Sequence, residues 1–338
     1  MTSSKKFILI SAGDPSSISS EITIKAIQSS EINKNIMPLV VTDPKIIRDY
    51  GEMNRSNFDI NEIKDELYFT DYKENEINVI PIKVFEKPVL GNPTIKNAVF
   101  IKNSILKCVN IKMASIASAI VTNPIHKKTM YDSGFNYSGH TEFLASLSVK
   151  KKQPVMMLVG ENLKTIPLTI HVPLKKVSKL ITQELIIFTI NTAKEYLISY
   201  FGISKPTIIV TGLNPHAGEE GDIGVEEKNI IIPAINKAID NKTFYLSGPV
   251  SADTAFSYNK RKEYDLAVCM YHDQALIPIK TLDFFNGVNV TLGLDFIRTS
   301  PDHGTGFDIA GKNKANPQSL ISAINLGYLM SINKDNEK

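Results

Sequence analysis

Short apolar runs recur along this chain, each closed by a turn signal, with segments of helical spacing between them. No other feature restricts the possible folds so strongly. Residues 7–11 read as a buried strand ending in the turn Ala12-Gly13-Asp14-Pro15. Residues 21–29 then have helical spacing, with Ser19 or Ser20 placed as an N-cap. Strands follow at 37–41 and 76–81, a long helix at 97–113, and further strands at 117–121, 154–159, 165–170, 206–211 and 266–271. This alternation predicts an α/β protein with a largely parallel or mixed sheet. The 338 residues exceed the roughly 250–300 that one core usually holds, so two domains are expected.

Polar clusters sit just beyond the apolar runs. Gly13-Asp14 follows the first, Thr122 follows 117–121, and His171 follows Ile170. Asn214-Pro215-His216 comes shortly after Val210, and His272-Asp273 comes after Met270. Ligands of open α/β sheets bind beyond the carboxyl ends of strands, so these clusters are expected to converge on one cleft.

Composition narrows the function classes. A hydrophobic fraction of 43% and a charged fraction of 22% are those of an ordinary globular protein. The net charge of +3 comes from scattered lysines and forms no basic stripe, which argues against nucleic acid and membrane surfaces as partners. No run approaches the ~20 apolar residues of a membrane span. The apolar run at 7–11 is too short for a secretory leader, and no small-residue cleavage site follows it. Cys108 and Cys269 lie in apolar runs and read as buried reduced thiols, so a cytoplasmic location is expected. The charged tail at 334–338 is expected to fray.

The chemistry-bearing residues fall into four groups. His171, His216 and His272 follow predicted strands in polar turns. Neutral imidazole is the commonest metal ligand, and three ligands with an open position make a catalytic site. Spacing alone fits hydrogen-bonded turn histidines as well. Ser138-Gly139-His140-Thr141-Glu142 reads as a helix start, either a plain cap or an anion site. The loop 213–224 has glycines that allow close approach of backbone to ligand, but it lacks the Gly-Lys-Ser/Thr ending of a phosphate loop. Lys280 and Arg298 place cations beside apolar strand residues, with the amide of Asn289 spaced evenly between them. An anionic ligand would offset the expense of burying such charges, and Arg suits phosphate or carboxylate; the alternative is snorkelling to solvent. Together these groups suggest a small anionic substrate beside a divalent metal.

At this point the residues resemble the 4-hydroxythreonine-4-phosphate dehydrogenase (PdxA) family of the pyridoxal phosphate pathway. The resemblance is carried by Thr122-Asn123-Pro124-Ile125-His126-Lys127, Gly139-His140-Thr141-Glu142 and Leu213-Asn214-Pro215-His216-Ala217-Gly218-Glu219. Gly248-Pro249-Val250-Ser251-Ala252-Asp253-Thr254, Tyr271-His272-Asp273-Gln274 and Arg298-Thr299-Ser300-Pro301-Asp302-His303-Gly304-Thr305 add to it. It implies two α/β/α domains around a cleft, similar to isocitrate and isopropylmalate dehydrogenases. The first would be residues 1–130 plus 290–330, and the second, residues 131–289, would carry the metal ligands and the dimer interface. It also implies a divalent metal (zinc, magnesium or cobalt) on His171, His216 and His272, and substrate contacts from His140, Thr141, Lys280, Asn289 and Arg298. NAD or NADP would lie against Asp302, Gly304, Thr305 and Asp308. Asp253 and Asp273 are the candidate bases. The implied reaction oxidises C3 of 4-phosphooxy-L-threonine, and the β-keto acid formed decarboxylates to 3-amino-2-oxopropyl phosphate. A homodimer sharing its active site is implied as well.

One segment departs from the family pattern. Where the family reads Gly-Asp-Pro-Ala-Gly-Ile-Gly-Pro-Glu, this chain has Gly13-Asp14-Pro15-Ser16-Ser17-Ile18-Ser19-Ser20-Glu21. Serine at either glycine position would be strained if that position needs positive φ. The rival readings are a paralogue oxidising 4-phospho-threonate or 4-phospho-erythronate, a metal-dependent phosphatase, and a non-catalytic binding relative.

Overall fold

A computed structural model gives the fold and describes residues 5–114, 116–137, 139–149, 151–240 and 242–337. The chain forms two compact units, Met1–Pro154 with Leu294–Ile332, and Val155–Gly293 with Asn333–Lys338. The sequence reading drew its boundaries at 130 and 290. Residues 131–154 belong instead with the first unit, because Phe135, Phe143 and Leu144 are buried in that unit's core.

The first unit opens with β1 (Lys6–Ser11), α1 (Ser19–Ile27), β2 (Ile36–Thr42), α2 (Pro44–Asn54), β3 (Ile60–Glu62) and β4 (Ile77–Pro81). It continues with α3 (Ala98–Met113), β5 (Ala119–Val121), α4 (Lys127–Asp132) and α5 (His140–Leu147). The second unit holds β6 (Val155–Val159), β7 (Lys164–Thr169), α6 (Val177–Leu180), α7 (Gln183–Ser199), β8 (Thr207–Thr211) and α8 (Ile232–Ala238). Then come β9 (Tyr245–Val250), α9 (Ala252–Ala255), β10 (Leu266–Tyr271), α10 (His272–Leu282) and β11 (Val288–Leu292). The chain returns to the first unit through β12 (Ile297–Pro301) and α11 (Gln318–Asn336).

Among the described residues the first unit's strands run β3-β4-β2-β1-β5-β12, and each pairing is parallel. Leu9 of β1 is level with Leu39 of β2 and Ile120 of β5, and all three are buried. α3 adds Ala98, Ile101, Ile105 and Cys108 to the same core at three- and four-residue spacing, which puts them on one helix face. Phe100 is fully buried there, and its truncation to alanine is worth about 3–5 kcal/mol. α2 starts cleanly because Asp43 accepts from the Lys45 N–H at 2.9 Å and Pro44 takes the first helical position.

The second unit's strands run β11-β6-β7-β10-β8-β9. β6 is antiparallel to both β11 and β7, and the remaining pairs are parallel, so this sheet is mixed. Leu158, Ile209, Ala267 and Cys269 pack from the strands against Ala275 and Ile279 of α10.

Three local expectations are corrected. Neither Ser19 nor Ser20 caps α1: the cap position is Ile18, whose own side chain makes no cap hydrogen bond. The tail does not fray through its length, since α11 reaches Asn336 and Lys334 pairs with Glu337 at 2.9 Å; Lys338 lies outside the described residues. Lys280 lies inside α10 and not at a strand edge. Both cysteines are free and buried, and burial pushes their thiols up. Among the described residues no helix is long and apolar enough to cross a membrane.

Candidate functional site

The second unit gathers its histidines at one edge of its sheet. His171 follows β7, His272 follows β10, and His216 stands on the loop after β8. These strands are mutually parallel and adjacent in the order β7-β10-β8, so their carboxyl ends share an edge. The His171 and His272 rings lie 5.9 Å apart between centroids, tilted by 39°. Asp273 Oδ1 is 2.7 Å from His272 Nδ1. An ionised carboxylate only accepts, so Nδ1 carries the proton; in the neutral ring that leaves the lone pair on Nε2, the arrangement that orients a metal-binding imidazole. Two such rings can share one cation. Among the described residues no group of three or more His, Cys, Asp or Glu is gathered closely enough to hold one.

Hydrogen bonds tie the strand ends together. Thr169 Oγ1 donates to the Met270 carbonyl at 2.9 Å, joining the ends of β7 and β10. Gln274 joins β10 to β8: its Oε1 accepts from Met270 N and Thr211 Oγ1, both at 2.7 Å, and its Nε2 donates to the Gly212 carbonyl at 2.8 Å. Asp253, in α9, is exposed; the Ser251 hydroxyl donates to its Oδ1 at 2.5 Å, and this bond, with backbone N–H donation, holds its carboxyl below the usual range.

Lys280 and Asn289 do not join the histidine edge. β10, α10 and β11 form a crossover in which the helix carries the chain back across the sheet. Eight residues of helix separate Lys280 from His272, about 12 Å of rise. Asn289, near the start of β11, is level with Leu158, which is level with Thr165 at the beginning of β7. That is the amino edge of the sheet, opposite His171. The Lys280 ammonium lies 5.4 Å from the Phe284 ring centroid. Asn289 Oδ1 is buried with no hydrogen-bond partner among the described residues.

The first unit holds the other predicted residues. Arg298, in β12, is buried, and its guanidinium donates to Thr122 Oγ1 from Nη2 at 2.6 Å and from Nε at 3.1 Å. Burial pulls its pKa down to about 10, against the nearby Glu142 charge. His140 and Thr141 are the first two residues of α5, and Ser138 lies outside the described residues. His140 Nε2 is buried with no partner among the described residues. Desolvation, then the Arg298 and Lys127 charges, holds this imidazole well below its ordinary range, so it is neutral. A neutral imidazole beside a buried guanidinium, with the Glu142 charge nearby, makes a polar environment that suits an anionic group.

Asp302, Gly304, Thr305 and Asp308 follow the carboxyl end of β12. Ser319 Oγ accepts from Asp302 N at 2.9 Å, and the Thr305 carbonyl accepts from Ile18 N at 3.1 Å. Gly304 is exposed, and a Cβ there would meet nothing within 4 Å among the described residues, which leaves room for a ligand to reach the backbone.

The serine-rich segment is accommodated without the expected strain. Among the described residues neither Ser17 nor Ser19 has positive φ, whereas Gly13 sits at φ +69°. The hydroxyls that replace glycine hydrogens make bonds of their own. Ser17 Oγ donates to the Asp14 carbonyl at 2.6 Å and accepts from Ser19 N at 3.0 Å. Asp14 is buried; Ser16 N donates to its Oδ1 at 2.9 Å, and desolvation pushes its carboxyl up.

Sequence reasoning placed Asp14 and Thr122 at strand ends without naming their partners, and it gave Glu227 and Gln274 no part in this geometry. Thr122 and Gln274 stood in quoted motifs, but Glu227 gave no signal, since a buried glutamate looks in sequence like a surface one.

The chain matches the family model of pyridoxal phosphate biosynthetic protein PdxA over residues 34–327, and it belongs to that family. Its relatives' names carry a particular activity. A 4-hydroxythreonine-4-phosphate dehydrogenase of Bradyrhizobium diazoefficiens is 52% identical over 247 residues, 72% of this chain and 71% of that one. Another, from Roseobacter denitrificans, is 42% identical over 326 residues, 96% of this chain and 97% of the other. The crystal structure of a 4-hydroxythreonine-4-phosphate dehydrogenase from Klebsiella pneumoniae matches with a TM-score of 0.85 at 33% identity, covering 96% of this chain and 99% of that one. The α/β fold and the family resemblance read from the motifs are borne out.

Proposed function

We propose that this chain is a nicotinamide-dependent dehydrogenase that oxidises C3 of 4-hydroxythreonine-4-phosphate in pyridoxal phosphate biosynthesis. Family membership supports the activity. The observation that carries the site is the His171–His272 pair, with Asp273 fixing the His272 tautomer at the carboxyl edge of parallel strands. His171, His272 and His216 would hold a divalent cation, with zinc, magnesium and cobalt the ions to compare. When bound, the cation supplies Lewis acidity toward the substrate hydroxyl and the nicotinamide supplies the hydride acceptor.

The chain's own residues bind, orient and move protons. Arg298, with His140 and Thr141, would take the substrate's anionic groups, together with Lys280 and Asn289. Asp253 would accept the hydroxyl proton as the base, with a carboxylate that the Ser251 bond keeps ionised. Asp273 is committed to His272 and would orient that ring. Asp302, Gly304, Thr305 and Asp308 would line the NAD side. The β-keto acid produced loses CO2 because its ketone takes up the electron pair left behind.

A homodimer that shares its active site is part of this reading, and the positions of Lys280 and Asn289 are compatible with it. They lie at the sheet edge opposite the histidines, so a second copy would complete one site from both edges. A cytoplasmic location fits the two buried free thiols.

The test is NADH formation by purified protein with 4-hydroxythreonine-4-phosphate, NAD and each divalent metal, beside 4-phospho-threonate and a His216→Ala control. Turnover of 4-hydroxythreonine-4-phosphate that the substitution abolishes is expected. Turnover of 4-phospho-threonate alone would move the chain to the sugar-acid paralogues.

A further inference from the structure

His216 stands on an unusual piece of backbone. His216, Ala217, Gly218, Glu219 and Glu220 have φ of 50°, 52°, 83°, 41° and 55°, a left-handed turn in which only Gly218 is a glycine. L-residues with a Cβ are disfavoured there, and runs of them are rare. The bonds Ala217 N to Asn214 O at 3.1 Å and Ile223 N to Gly218 O at 3.2 Å close the turn but do not anchor it to the fold.

The anchor is a buried carboxylate. Glu227 is 3% exposed. Its Oε1 accepts from Leu213 N and Asn214 N, both at 2.7 Å, and its Oε2 accepts from Asn214 Nδ2 at 2.9 Å. The carboxylate is also seated against the turn's backbone: a Cβ at Gly218 would come within 2.6 Å of Oε2, and one at Gly212 within 3.1 Å of Oε1. Glu227 thus grips the root of the turn at Leu213-Asn214 and abuts its centre at Gly218. A glutamate that merely ended a helix needs none of these contacts.

We infer that Glu227 is the positioning residue of the His216 turn. Its carboxylate holds the left-handed backbone that presents the His216 imidazole to a divalent cation. The inference rests on the proposal above that His216 is a ligand. Glu227 acts through Leu213, Asn214 and the turn.

The test is Co2+ binding, read from the visible absorption of the bound ion, on wild type, His216→Ala, Glu227→Gln and Asn214→Ala. Circular dichroism would confirm that each variant is folded at the temperature used. Gln is close to isosteric but exchanges one acceptor oxygen for a donor that faces N–H groups. Glu227→Gln is expected to weaken Co2+ binding roughly 10–100-fold and to alter the shape of the absorption band, as loss of an orienting partner does. Asn214→Ala, which leaves two of the bonds, should weaken it less, and it serves alone if Glu227→Gln does not fold. If His216→Ala abolishes binding while the folded Glu227 and Asn214 variants keep wild-type affinity and spectrum, the positioning role is wrong and the ligand reading stands. If His216→Ala leaves binding intact, the ligand reading fails and takes this inference with it.

Discussion

Arg298 on β12 and Thr122 just after β5 are joined by two donations from one guanidinium to one hydroxyl, at 2.6 and 3.1 Å, with Arg298 3% exposed. A charge so buried is expensive unless counter-charge meets it; Glu142 supplies some, and the proposed substrate would add more. Arg298→Met keeps the volume and removes the charge. A charge-assisted hydrogen bond is worth about 1.5–3 kcal/mol, so KM for the phosphorylated substrate should rise roughly 10–150-fold. Arg298→Lys should not restore it, because lysine lacks the planar fork. Steady-state kinetics on both variants is the check, and an unchanged KM would make Arg298 purely structural.

His140 predicts a pH dependence of stability. Its folded pKa lies well below the ordinary value of 6.5. Below about 6.5 the unfolded chain takes up a proton that the folded chain does not, so this group lowers stability as pH falls through that range. The slope is at most about 1.4 kcal/mol per pH unit. Urea unfolding at neutral and mildly acidic pH should show a steeper loss for wild type than for His140→Gln. Equal slopes would contradict the neutral, desolvated imidazole.

Ser17 replaces a family glycine and makes two bonds that a glycine cannot. Ser17→Gly removes both and frees the unfolded backbone, which together should destabilise the protein by about 1–2 kcal/mol. Reversion toward the family sequence is thus expected to lower the denaturation midpoint. A higher midpoint would show that the serine is strained after all.

Gln274 satisfies Met270 N, Thr211 Oγ1 and the Gly212 carbonyl at once. Gln274→Leu preserves bulk but strands those groups in the interior, a loss of about 2–4 kcal/mol. Thermal unfolding should show a clear drop in midpoint, and Co2+ binding should weaken as the ends of β8 and β10 loosen. A stable variant with unaltered binding would argue that water replaces the amide.

The alternation of apolar runs and helical spacing determined the α/β class, and the motifs determined the family. The placement of His171, His216 and His272 after strands was also legible, because a buried strand announces itself by an apolar run and a site by the polar residues that end it. Those signals are local: each depends on residues within a few positions of one another. The partners of β7, β10 and β8 were not legible, since backbone ladders carry no residue code and any of these apolar strands pairs as well with another. Only the tertiary structure decided that β7 and β10 are neighbours, which brings the His171 and His272 rings within 5.9 Å. The same holds for Lys280, read as lying beside a strand but carried by the α10 crossover to the opposite edge from His272. It holds again for Glu227, whose burial comes from the turn that folds over it. Charge and spacing are written in the chain, whereas desolvation and the direction of a side chain depend on contacts made by residues far apart in it.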